Sequence, residues 1–117
     1  MNVKISPFSA NGKICAAASK SYAHRFLIAA ALCRGRTIIE NVGSSDDVYR
    51  TIDCLSALGA KISVSEGAAE VFGIERAQTG VKLYVGESGS TLRFLMPVVA
   101  ALGVSATFVL GKSLIER

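Results

Sequence analysis

The 117-residue chain is long enough to enclose one hydrophobic core and too short for two ordinary domains, so it is one domain or part of one. Half of its residues are hydrophobic and 19% are charged, which excludes a disordered chain. The net charge of +4 is spread over scattered basic residues, which favours a small anionic ligand over a polynucleotide, and no apolar run approaches the roughly 20 residues of a membrane span.

Met1 to Ala10 lacks a basic stretch followed by an apolar one, so a cytoplasmic location is expected. Cys15, Cys33 and Cys54 are odd in number, widely spaced and form no C-x-x-C pair. They read as buried free thiols, and His24, the single histidine, cannot complete a metal site with them.

Val3 to Ile5 and Lys13 to Ala17 read as short extended pieces around the turn-prone Ser9-Ala10-Asn11-Gly12. A helix follows, capped by Ser19 or Ser21, with Phe26, Leu27, Ala30 and Ala31 at helical spacing and a stop at Arg34-Gly35. Arg36 to Glu40 reads as a strand. Ser44-Ser45-Asp46-Asp47 opens a second helix, its two acids suited to the dipole of a first turn. Val48, Ile52, Leu55 and Leu58 continue it to Gly59, a natural cap. Ala60 to Ser65 and Glu70 to Ile74 form two strands about Glu66-Gly67, residues 75–80 are a loop, and Val81 to Val85 is a further strand. Gly86-Glu87-Ser88-Gly89-Ser90-Thr91 leads into a third helix, Leu92 to about Leu102, ended by Gly103. Pro97 inside that helix removes the hydrogen bond to the Arg93 carbonyl and should bend it. Ser105 to Leu110 is the last strand.

The order suggests a repeat, and the letters agree. Arg25-Phe26-Leu27-Ile28 returns as Arg93-Phe94-Leu95-Met96, and Ala30-Ala31-Leu32 as Ala100-Ala101-Leu102. The expected class is α/β (α+β): one whole βαβαββ unit and the first half of a second.

Two helix starts carry the chemistry. Ser19-Lys20-Ser21 sits where strand gives way to helix, so unpaired backbone N–H groups face an anion there. Lys20 adds a point charge, Ser21 a hydroxyl, and Arg25 a planar fork one turn on. The Gly-containing loop ending in Gly89-Ser90-Thr91, with Arg93 in the first turn, repeats that design. Each motif alone also fits an ordinary capped helix with solvated cations, the second with Ser90 as its cap, but two in one repeat can converge on one ligand. Gly111-Lys112-Ser113 imitates the end of a P-loop, yet the glycine required five residues earlier is Ala106, and the segment between reads as strand. Adjacent Asp46 and Asp47 point apart on a helix, so they read as compensation of its dipole rather than as an acid/base or metal pair.

Taken together, Ser19-Lys20-Ser21 followed by Arg25, Ser45-Asp46-Asp47 with Leu58-Gly59-Ala60 downstream, the loop closing on Ser90-Thr91-Leu92-Arg93, and the final Glu116-Arg117 resemble the 5-enolpyruvylshikimate-3-phosphate synthases over the whole chain. The resemblance implies the N-terminal part of a transferase that moves the enolpyruvyl group of phosphoenolpyruvate onto the 5-hydroxyl of shikimate 3-phosphate and releases phosphate, on the way to chorismate and the aromatic amino acids. It implies no metal or organic cofactor. It also implies two similar domains of three βαβαββ units with the active site between them, so residues 1–117 would be an incomplete substrate-binding domain, with residues 1–12 as candidates for the other domain. By the same resemblance Lys20, the catalytic candidate, lies nearest phosphoenolpyruvate; Ser21 contacts both substrates; Arg25 binds the shikimate 3-phosphate side, while Ser90 and Arg93 complete the second helix start. Gly89 lies against phosphoenolpyruvate, where a side chain would also obstruct glyphosate, and Arg117 binds phosphoenolpyruvate. Glu87 stands where many members have Asn. A chain of this length is expected to be inactive alone and to self-associate through apolar faces left open. The alternatives are a UDP-N-acetylglucosamine enolpyruvyl transferase, which typically has Lys-Asn where Lys20-Ser21 stands, and a nonenzymatic phosphate-binding module.

Overall fold

A computed structural model describes residues 1–116. Residues 1–19 carry no helix or strand, contrary to the two extended pieces expected there. A strand is stable only against a partner ladder, and among the described residues none runs beside Val3–Ile5 or Lys13–Ala17. Val3, Ile5, Phe8 and Ile14 are instead exposed, and the radius of gyration is 17.1 Å, against roughly 13–14 Å for a compact chain of this size.

From Ser19 onward the order is α1 (Lys20–Leu32), β1 (Arg36–Ile39), α2 (Asp46–Ala57), β2 (Lys61–Ser65), β3 (Ala68–Phe72), β4 (Val81–Gly86), α3 (Gly89–Leu102), β5 (Ala106–Leu110) and the single turn α4 (Lys112–Ile115). β1, β3 and β2 form an antiparallel sheet in that order, with β3 in the middle. β4 and β5 form a separate parallel pair joined across α3, as a parallel connection requires. Among the described residues the unit that sequence reads as βαβαββ is therefore αβαββ, without its leading strand, and βαβ follows as the first half of the second.

Local chemistry explains most boundaries. Ser19, Ser45 and Ser88 cap the three long helices by accepting from the backbone N–H three residues on. The third helix thus starts at Gly89, three residues before Leu92, because Ser88 and not Ser90 is the cap. It ends at Gly103, whose φ of 67° is the left-handed conformation that closes a helix at little cost for glycine. Pro97 lies within α3, on an exposed face. Leu58 caps α2, and Gly59 follows it. Glu66 and Gly67, with φ of 51° and 79°, make a two-residue turn of the type matched to strand twist. Pairing therefore begins at once, Ser65 opposite Ala68, and β3 starts two residues earlier than its apolar letters suggest.

One core joins the two sheets. Leu27, Ala30 and Ala31 of α1 meet Val48, Ile52 and Leu55 of α2, with Val71 of β3, Leu83 and Val85 of β4, and Leu95 of α3 completing it. α2 is the central element, packed on α1, β4 and α3. Of the cysteines only Cys54 is buried, and burial, reinforced by neighbouring Asp53, pushes its thiol up to about 11. Cys15 and Cys33 are exposed, correcting the expectation of three buried thiols: one lies in the irregular N-terminal segment and the other at the C-terminal cap of α1. No helix among the described residues is long and apolar enough to cross a membrane.

Candidate anion-binding cleft

The starts of α1 and α3 face a common cleft of about 460 Å³. Lys20 of α1 and Asp47 of α2 line it together with Gly89, Ser90 and Arg93 of α3 and with Glu87. The first-turn N–H groups of α3 have no helical acceptors, and the helix start carries partial positive charge, so this wall suits an anion. Lys20 and Arg93 add formal charge, and the Ser90 hydroxyl adds a hydrogen-bonding group.

Lys20 Nζ donates to Asp47 at 2.6 Å, an ion pair across helices α1 and α2. This corrects the reading of Asp47 as a dipole partner alone: it sits in the first turn of α2, and it also holds the lysine at the cleft. Ser21 and Arg25 do not line the cleft. Arg25 Nη1 donates back to the Ser21 carbonyl at 2.7 Å, and its guanidinium lies 4.9 Å from the centre of the Phe94 ring. The physical reason is angular. Arg25 is six residues after its cap Ser19 and Arg93 five after Ser88, so the two arginines leave their helices roughly 100° apart relative to the cap. The repeat in letters is thus not an exact repeat in direction. Arg117 lies outside the described residues.

Gly89 is the first residue of α3 and needs no special conformation, since its φ is not positive. A Cβ there would meet only the terminal methyl of Leu114, at 3.6 Å, an ordinary contact. Nothing within the described fold demands glycine at this position. Glu87 is turned to α4: its carboxylate accepts from the Ser113 amide at 3.4 Å and from the Ser113 hydroxyl. A side chain at Gly111 would collide with that carboxylate, so Gly111-Lys112-Ser113 serves the Glu87 contact.

Sequence reasoning missed a buried polar row behind the cleft. His24 Nδ1 lies 2.7 Å from Thr51 Oγ1, which lies 2.8 Å from Thr91 Oγ1, which lies 2.7 Å from Ser88 Oγ. Both threonine hydroxyls also lie 3.3 Å from the Asp47 carbonyl, and the one that does not donate within the row can donate to it. The available signal was a lone polar residue on each apolar helix face: His24 beside Ala23 and Leu27, and Thr51 beside Val48 and Ile52. Burial holds the His24 pKa below its ordinary value of 6.5; Asp47 opposes this, and Lys20 and Arg25 add to it.

The mixed α/β fold thus brings Lys20 of α1 and the first turn of α3, with Arg93, to one cleft. The family model described as EPSP synthase (3-phosphoshikimate 1-carboxyvinyltransferase) matches residues 6–117. The chain is 43% identical over 107 residues to the 3-phosphoshikimate 1-carboxyvinyltransferase of Clostridium beijerinckii, covering 85% of this chain and 25% of that relative. It is 36% identical to the protein of the same name from Aeropyrum pernix, covering 98% of this chain and 26% of the relative. Among solved structures, an EPSP synthase from Acinetobacter baumannii superposes with a TM-score of 0.78 at 21% identity, over 91% of this chain and 25% of that one, which supports the fold. The chain belongs to the EPSP synthase family, and it spans about a quarter of the length of these relatives.

Proposed function

We propose that this chain supplies one wall of the substrate cleft of a transferase that moves the enolpyruvyl group of phosphoenolpyruvate to the 5-hydroxyl of shikimate 3-phosphate and releases phosphate. The observation that carries the reading is the cleft itself, where Lys20 from α1 meets Gly89, Ser90 and Arg93 from α3. Both substrates are phosphate-bearing anions, and this wall offers helix-start N–H groups, a hydroxyl and two cations. Gly89 fits the same reading: glycine is dispensable to the fold there, and a bare backbone lets a ligand lie directly on the first turn. Lys20 faces phosphoenolpyruvate in this scheme, neutralising charge that it otherwise shares with Asp47. Ser21 and Arg25 extend the shikimate 3-phosphate side along α1, and Arg117 serves phosphoenolpyruvate.

Residues 1–117 form the N-terminal part of one substrate-binding domain in this scheme, with residues 1–12 assigned to its companion. The chain alone transfers nothing, because the barrier falls only when groups on both sides of a substrate are organised together. Phe26, Ile38 and Phe72, exposed on α1, β1 and β3, are the faces through which it self-associates.

Amide chemical shifts followed during titration of the chain test the binding. Shikimate 3-phosphate should shift residues 19–25 and 88–93 at millimolar ligand, more strongly than shikimate, and Arg93→Ala should remove most of the response at residues 88–93. Equal responses to shikimate 3-phosphate, inorganic phosphate and sulfate, indifferent to Arg93→Ala and Arg25→Ala, would reduce the site to an unspecific helix terminus.

A further inference from the structure

The buried row behind the cleft has no part in the binding reading above. Its four side chains, His24, Thr51, Thr91 and Ser88, are each 1% exposed or less, and they come from α1, α2 and the start of α3. Three contacts of 2.7–2.8 Å join them, and each needs one proton. The proton arrangements that satisfy those contacts fall into two classes, set by the imidazole. In one, the hydroxyls all point toward His24 Nδ1, and the imidazole keeps its proton on Nε2. In the other, Nδ1–H donates to Thr51, Ser88 donates to Thr91, and one threonine donates to the other while that one donates to the Asp47 carbonyl.

The two differ at one atom. His24 Nε2 is the one buried side-chain nitrogen or oxygen without a hydrogen-bond partner among the described residues. The first arrangement strands an N–H donor there, and the second leaves only a lone pair. A buried orphan donor is the rarer and costlier state, so the second arrangement is the stable one. It also ends every proton on an acceptor, with the Asp47 carbonyl as terminus.

We infer that Thr51 is a positioning residue: with Thr91 it fastens the first turn of α3 to the first turn of α2 at the Asp47 carbonyl, and His24, protonated on Nδ1, starts the row. The inference rests on the binding reading for its purpose. Asp47 works at both ends, its carboxylate holding Lys20 at 2.6 Å and its carbonyl taking the row, so the same residue fixes the two walls of the cleft relative to each other. Ser88 is at once the end of the row and the cap of α3, which places Gly89 and Ser90. Loss of the Thr51 hydroxyl then loosens the cleft without removing any side chain that lines it.

The test uses the isotopically labelled chain. In the free protein the His24 ring nitrogens should show a single neutral tautomer with the proton on Nδ1. Thr51→Val, which keeps the shape and removes the hydroxyl, should abolish that single tautomer and shift the amides of Ser88 to Thr91, while Thr51→Ser should restore both. The affinity for shikimate 3-phosphate should fall about twofold to tenfold in Thr51→Val, the equivalent of one net hydrogen bond, and recover in Thr51→Ser. An Nε2-protonated ring in the unaltered chain overturns the inference, as does a Thr51→Val protein whose Ser88 to Thr91 amides match the unaltered ones. If Thr51→Val does not fold, the ring tautomer of the unaltered chain decides alone. If the unaltered chain ignores shikimate 3-phosphate, the functional reading falls, and the ligand-free signals still judge the row.

Discussion

Gly89→Ala separates what the fold needs from what the site needs. The added methyl meets Leu114 at 3.6 Å and nothing else, and the backbone at Gly89 is already helical. Replacing glycine by alanine at such a position stabilises by about 0.4–1 kcal/mol, through the unfolded chain's lost freedom. For a domain of this size that raises the melting temperature by about 2–6 °C. The same methyl projects where a ligand would lie on the first turn of α3. Crowding of that kind costs about 1–3 kcal/mol, a loss of roughly fivefold to hundredfold in affinity for phosphoenolpyruvate. Thermal melts by circular dichroism give the first number, and amide titrations of Gly86 to Arg93 give the second. The two should move in opposite senses. A melting temperature lowered by several degrees would refute the packing argument, and an unchanged phosphoenolpyruvate response would refute the placement of the ligand.

Asp47→Asn should cost less than about 1 kcal/mol, since the pair with Lys20 is 51% and 31% exposed at its two side chains, and inorganic phosphate should bind Lys20 more tightly at low salt; denaturant midpoints and shift titrations at two ionic strengths check both. Leu55→Ala, at a position with no exposure in the heart of α2, should cost about 2–5 kcal/mol, a large part of the stability such a domain has, read from urea unfolding. The lowered His24 pKa gives a pH dependence of definite sign. Unfolded His24 binds a proton at its ordinary value of 6.5, while the folded residue resists until a lower pH. Its contribution is therefore complete above 6.5 and is lost as pH falls through that value towards the folded one; burial chiefly sets the window, Asp47 narrows it, and Lys20 and Arg25 widen it. Unfolding midpoints measured on both sides of 6.5 should show this slope, and a variant lacking His24 should flatten it.

What the letters disclosed follows from what is local. Caps, helical spacing and a two-residue turn act within a few residues, so α1, α2, α3 and the β2–β3 hairpin could be read directly. The misplaced start of α3 came from a competition between Ser88 and Ser90, which only the bond from the Thr91 amide resolves. The missing strands at the N-terminus fail for a different reason: extended propensity is not a strand until something pairs with it. The cleft was legible in part. Lys20, Gly89, Ser90 and Arg93 announced themselves by charge and helix position, but the direction of Arg25 depended on a single residue of phase. The pairing of Lys20 with Asp47, 27 residues apart, left no pattern in the sequence.

The cleft lies at the seam between the two copies of the repeat. Lys20, Asp47 and Thr51 belong to the first copy; Ser88, Gly89, Ser90, Thr91 and Arg93 belong to the second. The first copy by itself holds a capped helix and an ion pair but no facing wall, so the cavity exists only where the two copies meet. The arrangement also ranks the loops by what they can absorb. Extra residues between Glu66 and Gly67, at the far side of one copy's sheet, leave every member of the cleft in place. A cut within residues 75–80 separates the wall of α1 and α2 from the wall of α3, and with it the two halves of the binding surface.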